Sequence, residues 1–245
     1  DGIRDFCLSR GLGDVYKRQI VAYADTLIRT DLSLDPESDG MIWVKKVSNP
    51  KAYGVVQLNE NDKINSLVEK PQEFVSDLAV IGIYYFRDAA FIKSELTDSM
   101  KKARSLGEEF LLNEGILSMM KKGAIFTPGK VKEWMDCGNP RITLETNKKM
   151  LGILTDEGNN LIADNITKEN SEIIPPCYIG KGVVLKNSIV GPNVAIGEGS
   201  LVENSTISDC LIQKNTVIKN AKLFGSMIGN HVKYHGNHTF ISIGD

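Results

Sequence analysis

The sequence predicts an α/β domain followed by a left-handed parallel β-helix. Three observations carry this. Leu78–Phe86, LAVIGIYYF, is apolar without alternation and is broken only by Gly82. Such a run suits a strand covered on both faces, as in a parallel or mixed sheet. After it, stretches of helical spacing alternate with short apolar strands as far as residue 151. From residue 173 the texture changes again. Ile179-Gly180, Val190-Gly191, Ile196-Gly197, Val202, Ile207, Ile212, Ile218, Leu223 and Ile228-Gly229 recur at five- or six-residue steps, with small polar residues and glycines between them. This is the hexapeptide pattern of a left-handed β-helix. Each aliphatic side chain points into a narrow prism and is buried only when coils stack.

Composition narrows the function classes. The chain has 245 residues, enough for one large or two medium domains. Apolar content is 42% and charged content 24%, ordinary for a globular protein. A net charge of −2 points to no nucleic-acid or anionic-membrane partner. No apolar run approaches a membrane span, and the start shows no secretory pattern. Cys7, Cys137, Cys177 and Cys210 have neither metal nor redox spacing, which suits a reduced, cytoplasmic protein.

Residues 1–19 show neither strand alternation nor a helical stripe and are read as a foreign or disordered leader. Gly11-Leu12-Gly13 is no phosphate loop, because no strand precedes it and no helix pattern follows. Residues 20–24 form a short apolar strand ending in Asp25. An acidic residue at the C-terminal end of a buried α/β strand sits where such folds bind ligands, so Asp25 is a candidate for Mg²⁺; its plain alternative is a cap or turn. Residues 41–47 are the next strand, stopped by Asn49-Pro50.

Residues 53–58 and 64–68 read as a hairpin, with Gly54 either open to a ligand or marking a bulge. Glu69-Lys70-Pro71 ends the second strand, since proline has no ladder N–H and restricts the residue before it. A carboxylate and an ammonium therefore stand together at a strand end. Gly82 leaves backbone open to close approach, and Tyr84 offers a phenol. The set suits a sugar phosphate, with Glu69 accepting from hydroxyls and Lys70 facing phosphate. A solvated Glu-Lys pair before an ordinary turn is the alternative.

Helical patterns follow at 89–96, 99–105 and 108–122, with Met119 and Met120 as core filling. Gly123 stops the last, and 124–127 returns as a strand. Residues 131–139 give a second acidic strand end, Asp136, before the Cys137-Gly138-Asn139 turn. Cys137 reads as a small buried residue. Pro140 starts a helix over 141–151, residues 152–172 read as a linker, and the repeat runs to about residue 232.

With these residues in place the chain resembles the sugar-nucleotide nucleotidyltransferases. In type it is similar to glucose-1-phosphate thymidylyltransferases and mannose-1-phosphate guanylyltransferases that carry a C-terminal hexapeptide helix. The carriers are Ala24-Asp25, Tyr53-Gly54-Val55, Val68-Glu69-Lys70-Pro71, residues 76–84 and Trp134-Met135-Asp136-Cys137-Gly138, in that order and spacing, between about residues 20 and 232. The resemblance implies a Rossmann-like nucleotidyltransferase domain over residues 20–151. It implies that a nucleoside triphosphate and a sugar 1-phosphate, foremost dTTP and glucose 1-phosphate, give a nucleotide sugar and pyrophosphate.

By the same resemblance Asp25 and Asp136 match Mg²⁺-binding aspartates and join Lys70 as catalytic residues. Gly54, Glu69, Lys70, Gly82 and Tyr84 match the sugar pocket, and a homo-oligomer is implied. The family's glycine-rich arginine loop, its lysine-proline motif and its base-reading segment do not precede residue 20, so the domain is expected to be incomplete and inactive by itself. Asn113 stands near where relatives often carry aspartate and receives no role. Two other readings remain: a noncatalytic sugar-nucleotide-binding or assembly subunit of the same fold, and an acyltransferase using His231, His235 or His238 as general base.

Overall fold

The computed structural model describes residues 18–30, 33–106, 112–236 and 242–243. Cys7, Gly11-Leu12-Gly13 and His238 lie outside them. The chain divides into two compact units between Met135 and Asp136.

The first unit is built on β6 (Leu78–Phe86), whose bounds are those of the apolar run. β3 (Gly40–Lys46) lies antiparallel along one edge. The other edge is shared by β4 (Gly54–Leu58), which meets it at Ala79, and by β1 (Gln19–Ala22), which meets it at residues 83–86. β5 (Ile64–Glu69) closes the predicted hairpin with β4, and β7 (Phe126–Lys130) runs parallel to β3. The sheet is therefore mixed, in the order β5-β4-β6-β3-β7. β6 is covered on both faces, as an unalternating run requires. Tyr84 and Phe86 pack with Ile42, Ile116 and Phe126 on one side. Ile81, Ile83 and Tyr85 pack with Met41 and Trp43 on the other.

β2 (Thr26–Arg29) follows a turn after β1, and β8 (Glu133–Asp136) spans the point at which the chain passes from the first unit to the second. β1 is an edge strand of alternating half-buried and exposed residues, so Asp25 follows a partly solvated strand rather than the buried one expected. The helical patterns at 89–96 and 99–105 form one helix, α1 (Ala89–Leu106). Asp88 caps it, accepting from Ala90 N and Phe91 N at 2.9 and 3.1 Å. Thr97 does not break it, because its hydroxyl donates to Lys93 O one turn back. α2 (Leu112–Lys121) buries Leu112, Ile116 and Met119 in the sheet's core.

The second unit opens with α3 (Pro140–Asp156), where Asn139 accepts from Ile142 N and Pro140 fills the first turn. The helix continues past Gly152. Ile162 already bridges to Ile179, so the stretch 152–172 is the end of a helix and the first coil rather than a linker. The coils then stack as a parallel β-helix of three faces. The first face holds β10 (Glu172–Ile173), β13 (Ile189–Val190), β16 (Thr206–Ser208) and β19 (Lys222–Phe224). The second holds β11 (Cys177–Ile179), β14 (Val194–Ile196), β17 (Leu211–Ile212), β20 (Met227–Ile228) and β22 (Ser242–Ile243). The third holds β9 (Thr167–Glu169), β12 (Val184–Lys186), β15 (Leu201–Glu203), β18 (Val217–Lys219) and β21 (Lys233–His235). The coiling thus runs beyond residue 232.

The repeating aliphatic residues fill the prism: Ile179, Val190, Ile196, Val202, Ile207 and Ile218 are fully buried. At one corner Asn170, Asn187, Asn204 and Asn220 adopt φ of 50°, 46°, 49° and 53°. Asparagine tolerates this left-handed backbone, which costs most side chains energy. Each amide donates to the next, at 3.3, 3.2 and 3.2 Å. Cys177 and Cys210 fill space near the corners; burial raises both thiols, Cys210 to about 11, so neither is a thiolate at neutral pH. No helix among the described residues is long and apolar enough to cross a membrane.

Candidate active site

Gly54 and Glu69 lie opposite each other where the β4–β5 hairpin ends. A Cβ at position 54 would stand 2.8 Å from Glu69 Oε2, so the absence of a side chain there gives the carboxylate its place. Glu69 Oε2 also accepts from Asn113 Nδ2 at 2.9 Å. Asn113 is the second residue of α2, and its buried Oδ1 meets no donor among the described residues. One carboxylate oxygen is thus clamped between a strand and a helix.

Lys70 takes φ +41°, in the left-handed region, although proline follows it. The hairpin closes across this point, with Lys70 N donating to Tyr53 O at 3.1 Å. That closure overrides the extended preference of a residue before proline and stores about 1–2 kcal/mol of strain. Pro71 is buried beneath, while Glu69 and Lys70 are exposed.

Gly82 has φ +77°, and the space its missing Cβ leaves is filled by the Tyr23 ring, which approaches to 2.8 Å. The room at Gly82 is therefore made for a tyrosine of the same unit and not directly for a ligand. Tyr23 N donates to Gly82 O at 2.9 Å. The Tyr23 and Tyr84 rings meet at 5.7 Å, and their hydroxyls share a hydrogen bond. Burial, then Tyr23 and Glu69, hold the Tyr84 phenol well above its usual range. Burial also raises Tyr23; the Tyr84 bond opposes this, and the negative charges of Glu69 and Asp25 add to it. Tyr84 is thus a buried neutral phenol reached through Tyr23. Asp25 is exposed in the turn after Tyr23, and that turn is tied to β6 by Thr26 Oγ1 donating to Ile81 O at 3.0 Å.

The first unit therefore gathers Gly54, Glu69, Lys70, Gly82 and Tyr84, with Asp25 close enough to act on Tyr23. Asp136 belongs to the second unit. Its Oδ1 accepts from Gly138 N at 2.8 Å, and its main-chain oxygen accepts from Thr146 Oγ1 of α3 at 2.6 Å. Among the described residues no three or more His, Cys, Asp or Glu side chains cluster as a metal site. His231 occupies a left-handed corner of the β-helix at φ 60°, and His235 lies exposed on β21 beside Lys219.

Sequence reasoning missed two members of this group. Tyr23 carries no motif; only the register of β1 on β6, with Ala22 opposite Ile83, lays it on Gly82. Asn113 is 44 residues from Glu69, and nothing in either stretch announces the pairing.

A family model described as nucleotidyl transferase matches residues 13–152, more than half of the chain. The chain belongs to the nucleotidyl transferase family. The match begins inside the segment 1–19 that the sequence reading sets apart, and Gln19 already belongs to β1. A glucose-1-phosphate thymidylyltransferase of Streptomyces griseus is 27% identical over 233 residues, covering 91% of this chain and 64% of that protein. The mannose-1-phosphate guanylyltransferase catalytic subunit beta of Drosophila melanogaster is 31% identical over 146 residues, 60% of this chain and 33% of its own length. A bifunctional protein GlmU of Methanocaldococcus jannaschii is 30% identical over 155 residues, 63% of this chain and 37% of its own length. This nucleotidyl transferase chain thus spans 64% of the thymidylyltransferase it matches along most of its length.

Proposed function

We propose that this chain holds a sugar 1-phosphate and that the whole protein joins it to a nucleoside triphosphate, releasing pyrophosphate. The observation that carries the reading is the clamped Glu69 beside Lys70. With Oε2 taken by Asn113, Glu69 keeps Oε1 to accept from a sugar hydroxyl, and the adjacent ammonium is a point charge for the phosphate. Glucose 1-phosphate and dTTP are the favoured pair, since the Streptomyces griseus relative is named for them and matches 91% of the chain.

In this reaction a phosphate oxygen of the sugar 1-phosphate attacks the α-phosphorus. A new P–O bond forms, the bond to the β-phosphate's bridging oxygen breaks, and pyrophosphate leaves with that electron pair. No side chain needs to gain or lose a proton. The protein's task is to align two anions and to offset their charge, which is the role of Lys70. Asp25 and Asp136 each carry hard carboxylate oxygens of the kind that suit Mg²⁺, which would bring phosphate oxygens and water into its shell. The ion would neutralise charge developing on the phosphates.

Calorimetric titration with glucose 1-phosphate and mannose 1-phosphate tests the reading, alongside pyrophosphate release with dTTP. Charge-assisted hydrogen bonds contribute about 1.5–3 kcal/mol, so Glu69→Ala and Lys70→Ala should each weaken sugar 1-phosphate binding by roughly 10- to 100-fold. Binding that neither variant alters would overturn the proposal. Binding without turnover in the full-length protein would favour the noncatalytic subunit.

A further inference from the structure

Within β6 only Gly82 lacks a side chain, and a ring from another strand lies in the space this leaves. A Cβ at position 82 would stand 2.8, 3.1 and 3.1 Å from Cδ2, Cβ and Cγ of Tyr23. The ring is held from several sides. Tyr23 N donates to Gly82 O at 2.9 Å, and Thr26, in the same turn, donates from Oγ1 to Ile81 O. The ring leans on Tyr84, with centroids 5.7 Å apart and planes at 56°. Tyr84 is locked in the core at 2% exposure, whereas Tyr23 is 39% exposed. Part of a fixed aromatic ring therefore faces out of the sheet.

What that part faces follows from its neighbours. The negative charges of Glu69 and Asp25 both reach the Tyr23 phenol. Glu69 is the carboxylate that Asn113 clamps, and Asp25 stands in the turn directly after Tyr23. The inference rests on the function proposed above, in which a sugar hydroxyl sits at Glu69 and the phosphate with its Mg²⁺ sits towards Asp25. Tyr23 is within reach of both ends. In a sugar 1-phosphate the phosphate is carried by C1. Of the two ring atoms next to C1, the ring oxygen bears no substituent and C2 bears one. A side chain placed between the hydroxyl acceptor and the phosphate therefore meets the group on C2.

We propose that the Tyr23 ring determines specificity at C2 of the sugar 1-phosphate, admitting a hydroxyl and turning away an acetamido group. An acetamido group brings an amide and a methyl into the space that a hydroxyl needs. A loosely held side chain would swing aside for it. Tyr23 has nowhere to go, because the Gly82 backbone lies behind the ring and Tyr84 lies beside it. Selection then comes from a rigid wall and not from an unmade hydrogen bond. The substrate class is the hexose 1-phosphates that keep a hydroxyl at C2.

Calorimetric titration of the full chain with glucose 1-phosphate and with N-acetylglucosamine 1-phosphate tests this. The native chain should prefer glucose 1-phosphate by at least about tenfold. Tyr23→Ala should bring the two dissociation constants to within about threefold of each other, by tightening on the acetamido sugar. Tyr23→Leu should fall between, and it serves in place of Tyr23→Ala if melting curves show that the smaller residue has cost the fold. Tyr23→Phe keeps the ring and should keep the preference, whatever it does to affinity. Glu69→Ala and Lys70→Ala, measured with both sugars, separate the two ideas. If they weaken binding while the native chain takes both sugars alike, Tyr23→Ala and Tyr23→Leu keep the native preference, or Tyr23→Phe loses it, the wall at C2 is overturned and the sugar 1-phosphate site stands. If Glu69→Ala and Lys70→Ala change the binding of neither sugar, the site itself is misplaced and the inference falls with it.

Discussion

Asn113 Nδ2 donates to Glu69 Oε2 at 2.9 Å, tying the first turn of α2 to the last residue of β5. On the other side of that oxygen, Gly54 contributes only its lack of a side chain. A neutral amide suits the place, because a second carboxylate this close would force one of the two to take up a proton.

Removing either restraint should loosen the carboxylate without unfolding the unit. Asn113→Ala should weaken sugar 1-phosphate binding by about tenfold, the value of one hydrogen bond to a charged group. Gly54→Ala should do so by displacing Oε2. Calorimetry measures both, and thermal melting serves as the control for stability. Native affinity in both variants would show that the orientation of Glu69 does not matter.

Lys70 should trade stability for function. At φ +41° a glycine is easier to accommodate by about 1 kcal/mol, so Lys70→Gly should raise the melting temperature by a few degrees while losing affinity for the phosphate. A fall in melting temperature would mean that the lysine side chain supports the hairpin in some way that outweighs the backbone strain.

Acid should find a weak point between α1 and α2. The buried Glu95 accepts from Lys122 Nζ and Ser118 Oγ, both at 2.7 Å. These bonds, Lys122 foremost, hold its carboxyl below the usual range. A folded-state value below the unfolded one, about 4.3, stabilises the fold above that pH, and the gain is lost as pH falls through the folded value. Urea unfolding from about pH 3 to pH 7 should therefore show an acid-side decline that Glu95→Gln flattens. Parallel curves for the two proteins would assign the decline to other carboxylates.

Where local chemistry dominates, the sequence and the structure agree. Leu78–Phe86 has one strand's length of apolar residues and is bounded by a polar turn and a helix cap, so pattern and strand coincide. The aliphatic steps after residue 173 mark inward positions because a prism this narrow admits little else. Agreement fails where a neighbour distant in sequence decides. Residues 152–172 look like a linker because, past the helix end at Asp156, the first coil turns Thr167, Lys168 and Glu169 all to solvent, while Ile162 and Ile166 pack inward. Lys70 should be extended before Pro71, yet closure of the hairpin on Tyr53 reverses that preference. Gly82 is legible as a close approach, but the group approaching it, Tyr23, arrives from a strand whose pairing no local pattern reveals.

The column of left-handed asparagines has a consequence for how this chain can change over generations. Each amide bonds to its counterpart 16 or 17 residues away, so every coil offers the next the partner it needs. A duplicated or deleted coil would meet ready-made neighbours above and below, provided that the cut keeps the corner. The length of the β-helix can therefore drift by whole coils among descendants while the first unit, whose strands pair out of sequence order, tolerates no such editing.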